Sequence, residues 1–141
     1  MNTLNFPDAN VWLALVLSRH TLAARAKVWF DGCGDERFYF CRFTQMTTLR
    51  LLTTEAVMGA EVKKMAEAWA LVDQFYSDER IAFLQEPEGM EKEFRRLTSL
   101  SAASPKVWSD SYLLAFAHAA GLKLVTFDRG LRAKGTDLLV L

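Results

Sequence analysis

LKLVTFDRGL, residues 122–131, decides how the rest of the chain is read. The run from Leu124 to Phe127 is apolar, the strand it belongs to (122–128) is too short for a helix, and it follows a helical pattern over 104–121 that stops at Gly121. A helix feeding directly into a short buried strand is the second half of a βαβ unit. The strand ends on a single carboxylate, Asp128, followed by Arg129 and Gly130. A carboxylate in that place is either a turn residue or part of a site.

The start of the chain repeats the arrangement. TLNFPD (3–8) reads as a strand ending on Asp8, and NVWLALVLSRH (10–20) carries apolar residues at helical spacing. A second helix is expected over 21–34, ending at two glycines, and an aromatic strand over 37–43. Thr44 is placed to cap a helix over 45–53 with Leu49 and Leu52 on one side. A long amphipathic helix is expected over 60–78, facing inward with Val62, Met65, Ala66, Trp69, Val72 and Tyr76, and Phe75 at the margin. Then come a strand (80–85), a charged helix (86–100), a helix opened by Ser-Pro (104–121), the strand at 122–128 and a last strand at 137–141. Strands alternating with helices imply one domain over 1–141, a three-layer α/β/α sandwich around a mainly parallel sheet.

Composition narrows the function. Seventeen basic and seventeen acidic side chains cancel, which excludes a broad electrostatic footprint for nucleic acid but not a local one. Cys33 and Cys41 have no metal-binding spacing and read as free thiols of a reducing compartment. No apolar run approaches the roughly 20 residues of a membrane span. The first residues lack a signal-peptide pattern, so a cytoplasmic protein is expected.

In an open parallel sheet, ligands bind beyond the carboxyl ends of the strands. Asp8 and Asp128 both occupy such ends. Asp110 lies in the first turns of the helix before the 122–128 strand and shares a face with Leu113, Leu114 and Ala117. An acid on an inward face is costly unless it is paired or bound to a cation. Each acid has an ordinary explanation: Asp8 as turn opener or cap, Asp110 as partner of the helix dipole, Asp128 as turn residue. Three together at one edge would repel one another unless a cation neutralised them, and oxygen ligands without His or Cys suit Mg²⁺ or Mn²⁺. His118, within an apolar helix, reads as structural, and His20 is no convincing acid–base group.

FPDANVWLAL near the start, TQMTTLRLLT in the middle and WSDSYLLAFAHAAGLKLVTFD near the end resemble, in order and spacing, the PIN domain, and more closely the VapC toxins of bacterial toxin–antitoxin pairs. The resemblance spans nearly the whole chain. It implies a metal-dependent endoribonuclease with catalytic, metal-holding acids at Asp8, Asp110 and Asp128, leaving 5′-phosphate and 3′-hydroxyl ends. It also implies a homodimer and a small antitoxin partner lying in a groove near the site. Asn10, next to Asp8 in the opening motif, is a candidate to bond Asp8 or a phosphate, or to cap its helix. Arg50 and Arg129 are candidates to contact the RNA backbone or are solvated surface charges, the latter being the stronger reading for Arg129. Two positions depart from the family. Gln45 stands where many relatives have a glutamate, and Gly130 where many have a further acid; Gln45 is expected beside the cluster, offering a neutral oxygen. A PIN-like module that binds RNA or a protein without cutting is the competing reading, and a structure-specific DNA nuclease a third.

Overall fold

The computed structural model describes residues 3–131 and 137–141. Among these residues the order is β1 (Leu4–Pro7), α1 (Ala9–Val16), α2 (Ala23–Gly32), β2 (Arg37–Phe40), α3 (Arg42–Leu52), α4 (Glu55–Met58) with a 3₁₀ turn at Gly59–Glu61, α5 (Met65–Tyr76), β3 (Ile81–Phe83), α6 (Met90–Thr98), α7 (Val107–Ala120), β4 (Lys123–Thr126) and β5 (Asp137–Val140). The sheet runs β3-β2-β1-β4-β5 with every neighbouring pair parallel. The expected three-layer α/β architecture is the one observed.

Alternation along β2 shows how the layers form. Phe38 and Phe40 face a cluster with Trp12, Trp29, Phe30 and Phe75, from α1, α2 and α5. Tyr39, and Cys41 just beyond the strand, face the opposite cluster, which holds Phe6, Leu113, Phe116 and Leu124 beneath α6 and α7. Consecutive strand residues point to opposite faces, so one strand anchors both layers. Trp12 is fully buried and stacks on Phe40 with ring centroids 4.0 Å apart. On the other face Phe6 stacks on Phe116 at 4.9 Å.

The chain builds β1, β2 and β3 outward in one direction, then crosses to place β4 on the free side of β1. The β1–β4 boundary is therefore the topological switch point, where connections leave in opposite directions and open a crevice at the carboxyl edge. β1 and β4 pair in register as Asn5 with Lys123, Phe6 with Leu124 and Pro7 with Val125, and the Asp8 N–H continues the ladder to the Val125 carbonyl at 2.9 Å.

Several expectations need correction. The helix expected over 60–78 begins at Met65, and its inward residues are Ala68 and Val72, with Leu71, Phe75 and Tyr76 partly buried. Met65 and Trp69 point outward at 73% and 45% exposure, and Val62 and Ala66 are exposed as well. This helix is apolar on two faces: Val72 and Tyr76 turn inward as expected, and the face with Met65 and Trp69 does not. Thr44 does not start α3. Cys41 is the N-cap, and Thr44, three residues on, accepts a hydrogen bond from the Cys41 N–H at 3.0 Å, the reciprocal half of a capping box. The helix over 86–100 is shorter, Met90–Thr98. His118, expected to be structural, lies on α7 with its side chain partly exposed and Nε2 3.9 Å from Glu93.

Candidate active site

Asp8 follows β1 directly and opens α1. One carboxylate oxygen, Oδ1, accepts a hydrogen bond from the Val11 N–H at 3.2 Å, so Asp8 is the N-cap of α1. The other, Oδ2, accepts from the Thr126 hydroxyl at 2.5 Å. Thr126 is fully buried at the end of β4, and its Oγ1 also accepts the Asp128 N–H at 3.0 Å. A single hydroxyl thus ties the ends of the two strands at the switch point and sets the spacing of their acids. The capping role weighed for Asn10 belongs to Asp8. Asn10 lies in the first turn of α1, exposed, with its backbone N–H toward the Asp8 carboxylate.

Asp128 does serve as a turn residue. Its Oδ1 accepts the Gly130 N–H at 2.8 Å, an Asx turn that reverses the chain after β4. That bond uses one oxygen; among the described residues Oδ2 has no hydrogen-bond partner, and the side chain is open to solvent. A side chain at Gly130 would place its Cβ 3.2 Å from Asp128 Oδ1. The acid that many relatives carry there would crowd this turn.

Asp110 stands in the first turn of α7 and is exposed, while Leu113, Leu114 and Ala117 on the same helix are buried. It shares their side of the helix in sequence but is exposed, so the inward placement expected for it does not hold. The electrostatics nevertheless link it to the other two acids. Burial pushes the Asp8 carboxyl above its ordinary value, and the charge of Asp128 adds to that rise against hydrogen bonds from Thr126, Val11 and Asn10. Partial desolvation raises Asp110, again with help from Asp128. Asp128 is the common neighbour of both. Among the described residues none of the three forms an ion pair, and no three acids, histidines or cysteines are drawn tightly enough to enclose an ion as they stand. Two carboxyls pushed up by burial and by the charge of a third acid, without a cationic partner among the described residues, are a donor set of the kind that suits a hard divalent cation.

Gln45 lies buried on α3 with its amide engaged: the carbonyl accepts from Arg42 Nη1 at 2.5 Å and the amide nitrogen donates to the Tyr76 hydroxyl at 3.1 Å. Arg42 also covers the Phe83 ring at 4.6 Å. Arg50 is in the last turn of α3, lining a groove of about 320 Å³ with Met46, Leu49, Met65 and Trp69. Thr126 is the residue that sequence reasoning passed over. Its signal was a hydroxyl two positions before Asp128, inside an otherwise apolar strand.

A model of the PIN domain matches residues 6–136. The chain belongs to the PIN-domain family. Ribonuclease VapC41 of Mycobacterium tuberculosis is 41% identical over 126 residues, covering 86% of each chain. Among solved structures, this PIN domain is similar to Mycobacterium tuberculosis VapC20, described as a Sarcin-Ricin loop cleaving toxin, with TM-score 0.65, 15% identity and coverage of 94% and 95%. It is also similar to Rickettsia felis VapBC2, solved bound to a DNA fragment from their promoter, with TM-score 0.62, 11% identity and 99% of both chains covered. Among the described residues of this PIN domain, no helix is long and apolar enough to cross a membrane.

Proposed function

We propose that this protein is a metal-dependent endoribonuclease, the toxin of a toxin–antitoxin pair, cutting RNA at the switch-point crevice. The observation that carries the reading is the Asp8–Thr126–Asp128 linkage at the carboxyl ends of β1 and β4, with Asp128 raising both Asp8 and Asp110. The 41% identity to a named ribonuclease supports the reaction class. Asp8, Asp110 and Asp128 would hold Mg²⁺ or Mn²⁺. When bound, the ion supplies charge on a phosphate oxygen and lowers the pKa of an attacking water.

The chain's own residues divide the remaining work. Thr126 and the Val11 N–H fix the Asp8 carboxylate in one orientation, which spares reorganisation during the reaction. Asp128 is anchored through one oxygen and leaves the other for the site. Asp110, on an exposed first turn, can swing toward Asp128. Asn10, beside Asp8, is placed to contact a phosphate. Gln45 acts through the Arg42–Gln45–Tyr76 network and not as a ligand, and Arg50, in the α3/α5 groove, serves a protein contact better than a phosphate. That groove, with Met46, Met65 and Trp69 exposed, is apolar surface of the kind that a partner covers. A small cognate antitoxin and a homodimer are the partners proposed, in the cytoplasm.

The test is cleavage of total RNA in vitro by the full chain with Mg²⁺ or Mn²⁺. Cutting that chelator abolishes supports the reading. No cutting by well-folded protein with any divalent ion favours a PIN-like module that binds without cleaving.

A further inference from the structure

Trp108 is 56% exposed, although its type is usually core, and it lies two residues before Asp110 in the first turn of α7. Its indole is held against Phe94 of α6, with ring centroids 5.9 Å apart at an interplanar angle of 59°. Phe94 in turn packs on the core beneath α7. The ring is thus held on one side by Phe94 while more than half of the side chain stays exposed. Trp108 also lines a cavity of about 530 Å³, together with Leu100, Ala102, Ala103, Ser104 and Pro105. The small side chains of Ala102, Ala103 and Ser104 in this lining leave room beside the indole for a flat group. Lys106, the exposed N-cap of α7, sits in sequence between the cavity-lining Pro105 and Val107 and brings a cation beside them.

We propose that this pocket is a nucleobase subsite, in which an unpaired base of the RNA stacks on Trp108 while Lys106 meets the neighbouring phosphate. The proposal rests on the ribonuclease reading above and adds how the substrate is gripped. Sequence-tolerant recognition of single-stranded RNA works through stacking on aromatic faces beside backbone cations. Residues two apart on a helix diverge by about 200°. The indole thus faces away from the acids, and its base belongs to a nucleotide flanking the cut, not to the one being cut. Trp69, also exposed, lines a groove between α3 and α5, whereas Trp108 is two residues from Asp110 on the same helix.

The experiment has two arms. In the first, binding of fluorescein-labelled single-stranded oligo(A), oligo(C) and oligo(U) is measured by anisotropy in the Asp8→Asn background, which removes cleavage. Adding Trp108→Ala is expected to weaken binding about tenfold, within the range of one lost stacking contact. Trp108→Phe is expected to keep most of the affinity. In the second arm, the ends cut from total RNA are sequenced for wild type, Trp108→Ala and Trp108→Phe. Wild type and Trp108→Phe should share a base preference at one flanking position that Trp108→Ala loses. Unchanged binding and an unchanged cleavage pattern in Trp108→Ala overturn the subsite while leaving the ribonuclease standing. Loss of self-association in Trp108→Ala without loss of RNA binding overturns it in favour of a protein interface. Failure of the wild type to cut or bind any RNA overturns both readings.

Discussion

The two edges of the sheet treat their charges in opposite ways. At the amino edge, Asp78 precedes β3 and is met by Arg80, with Nη2 to Oδ2 at 2.8 Å and Nε to Oδ1 at 3.0 Å. Arg80 also donates to the Gly34 carbonyl and lies over the Phe30 ring, while Asn5 ties Glu36 to the start of β2. The Arg80 hydrogen bonds hold the Asp78 carboxyl below its ordinary value. At the carboxyl edge, Asp8 and Asp110 are pushed up, chiefly by desolvation and further by Asp128. An acid whose pKa is lowered stabilises the fold, and one whose pKa is raised costs stability when ionised. The contrast separates a structural carboxylate from carboxyls held above their ordinary range within a single sheet, the pattern by which candidate functional sites are recognised.

The sharpest way to break the comparison is Asp8→Asn. Asn keeps the shape and the capping ability but not the charge. Loss of several kcal/mol of transition-state stabilisation should lower cleavage of total RNA by about a thousandfold or more. Activity within tenfold of wild type would mean that Asp8 is only a helix cap.

Metal addition should also distinguish the edges. Mg²⁺ at about a hundred times its Kd should stabilise the wild type by about 2.7 kcal/mol, seen as a rise of several degrees in Tm. The rise should vanish in Asp8→Asn and persist in Asp78→Asn. An equal rise in all three would place the ion elsewhere.

Stability without metal gives opposite signs. The folded Asp8 carboxyl has a raised pKa, so the folded state binds more protons than the unfolded chain between the ordinary and the raised value. Stability therefore falls as pH rises through that window, and the cost is fully present above it. Asp8→Asn should be more stable than wild type at neutral pH in chelator, and the gain should shrink as pH falls toward 4. Asp78→Asn should be less stable by no more than about 1 kcal/mol, because its ion pair is partly exposed. That loss should disappear at low pH as the wild-type carboxylate is itself protonated. Denaturant unfolding across pH checks both, and a destabilised Asp8→Asn would show that its hydrogen bonds outweigh its burial.

The smallest expected effect is at Gln45. Arg42 already touches its carbonyl, so a new charge there meets a guanidinium before it meets any metal. Gln45→Glu alone should change metal affinity by less than about fivefold, the range of a partly solvated ion pair. Gln45→Glu combined with Arg42→Ala frees the carboxylate and should bind metal more tightly by calorimetry. Tight binding by the single variant would show that the glutamate leaves Arg42 for the acid cluster.

Local sequence determined a good deal of this protein. Five short apolar stretches separated by helical patterns specify an α/β fold, because a buried parallel strand needs apolar side chains on both faces. The order of elements and the placement of Asp8 and Asp128 at strand ends were readable for the same reason: strand and acid are adjacent in the chain. Tertiary structure decided what depends on residues far apart in sequence. The strand order puts β4 beside β1 and so creates the crevice. The Thr126 bridge to Asp8 spans 118 residues and leaves no local pattern. Which apolar face of α5 turns inward was settled by packing against Leu52 and Met58, leaving Trp69 outside. Gln45 followed the same rule. Its place on α3 was legible, but its partners Arg42 and Tyr76 meet only when α3 and α5 pack together, because a side chain's neighbours are set by the fold and not by the chain beside it.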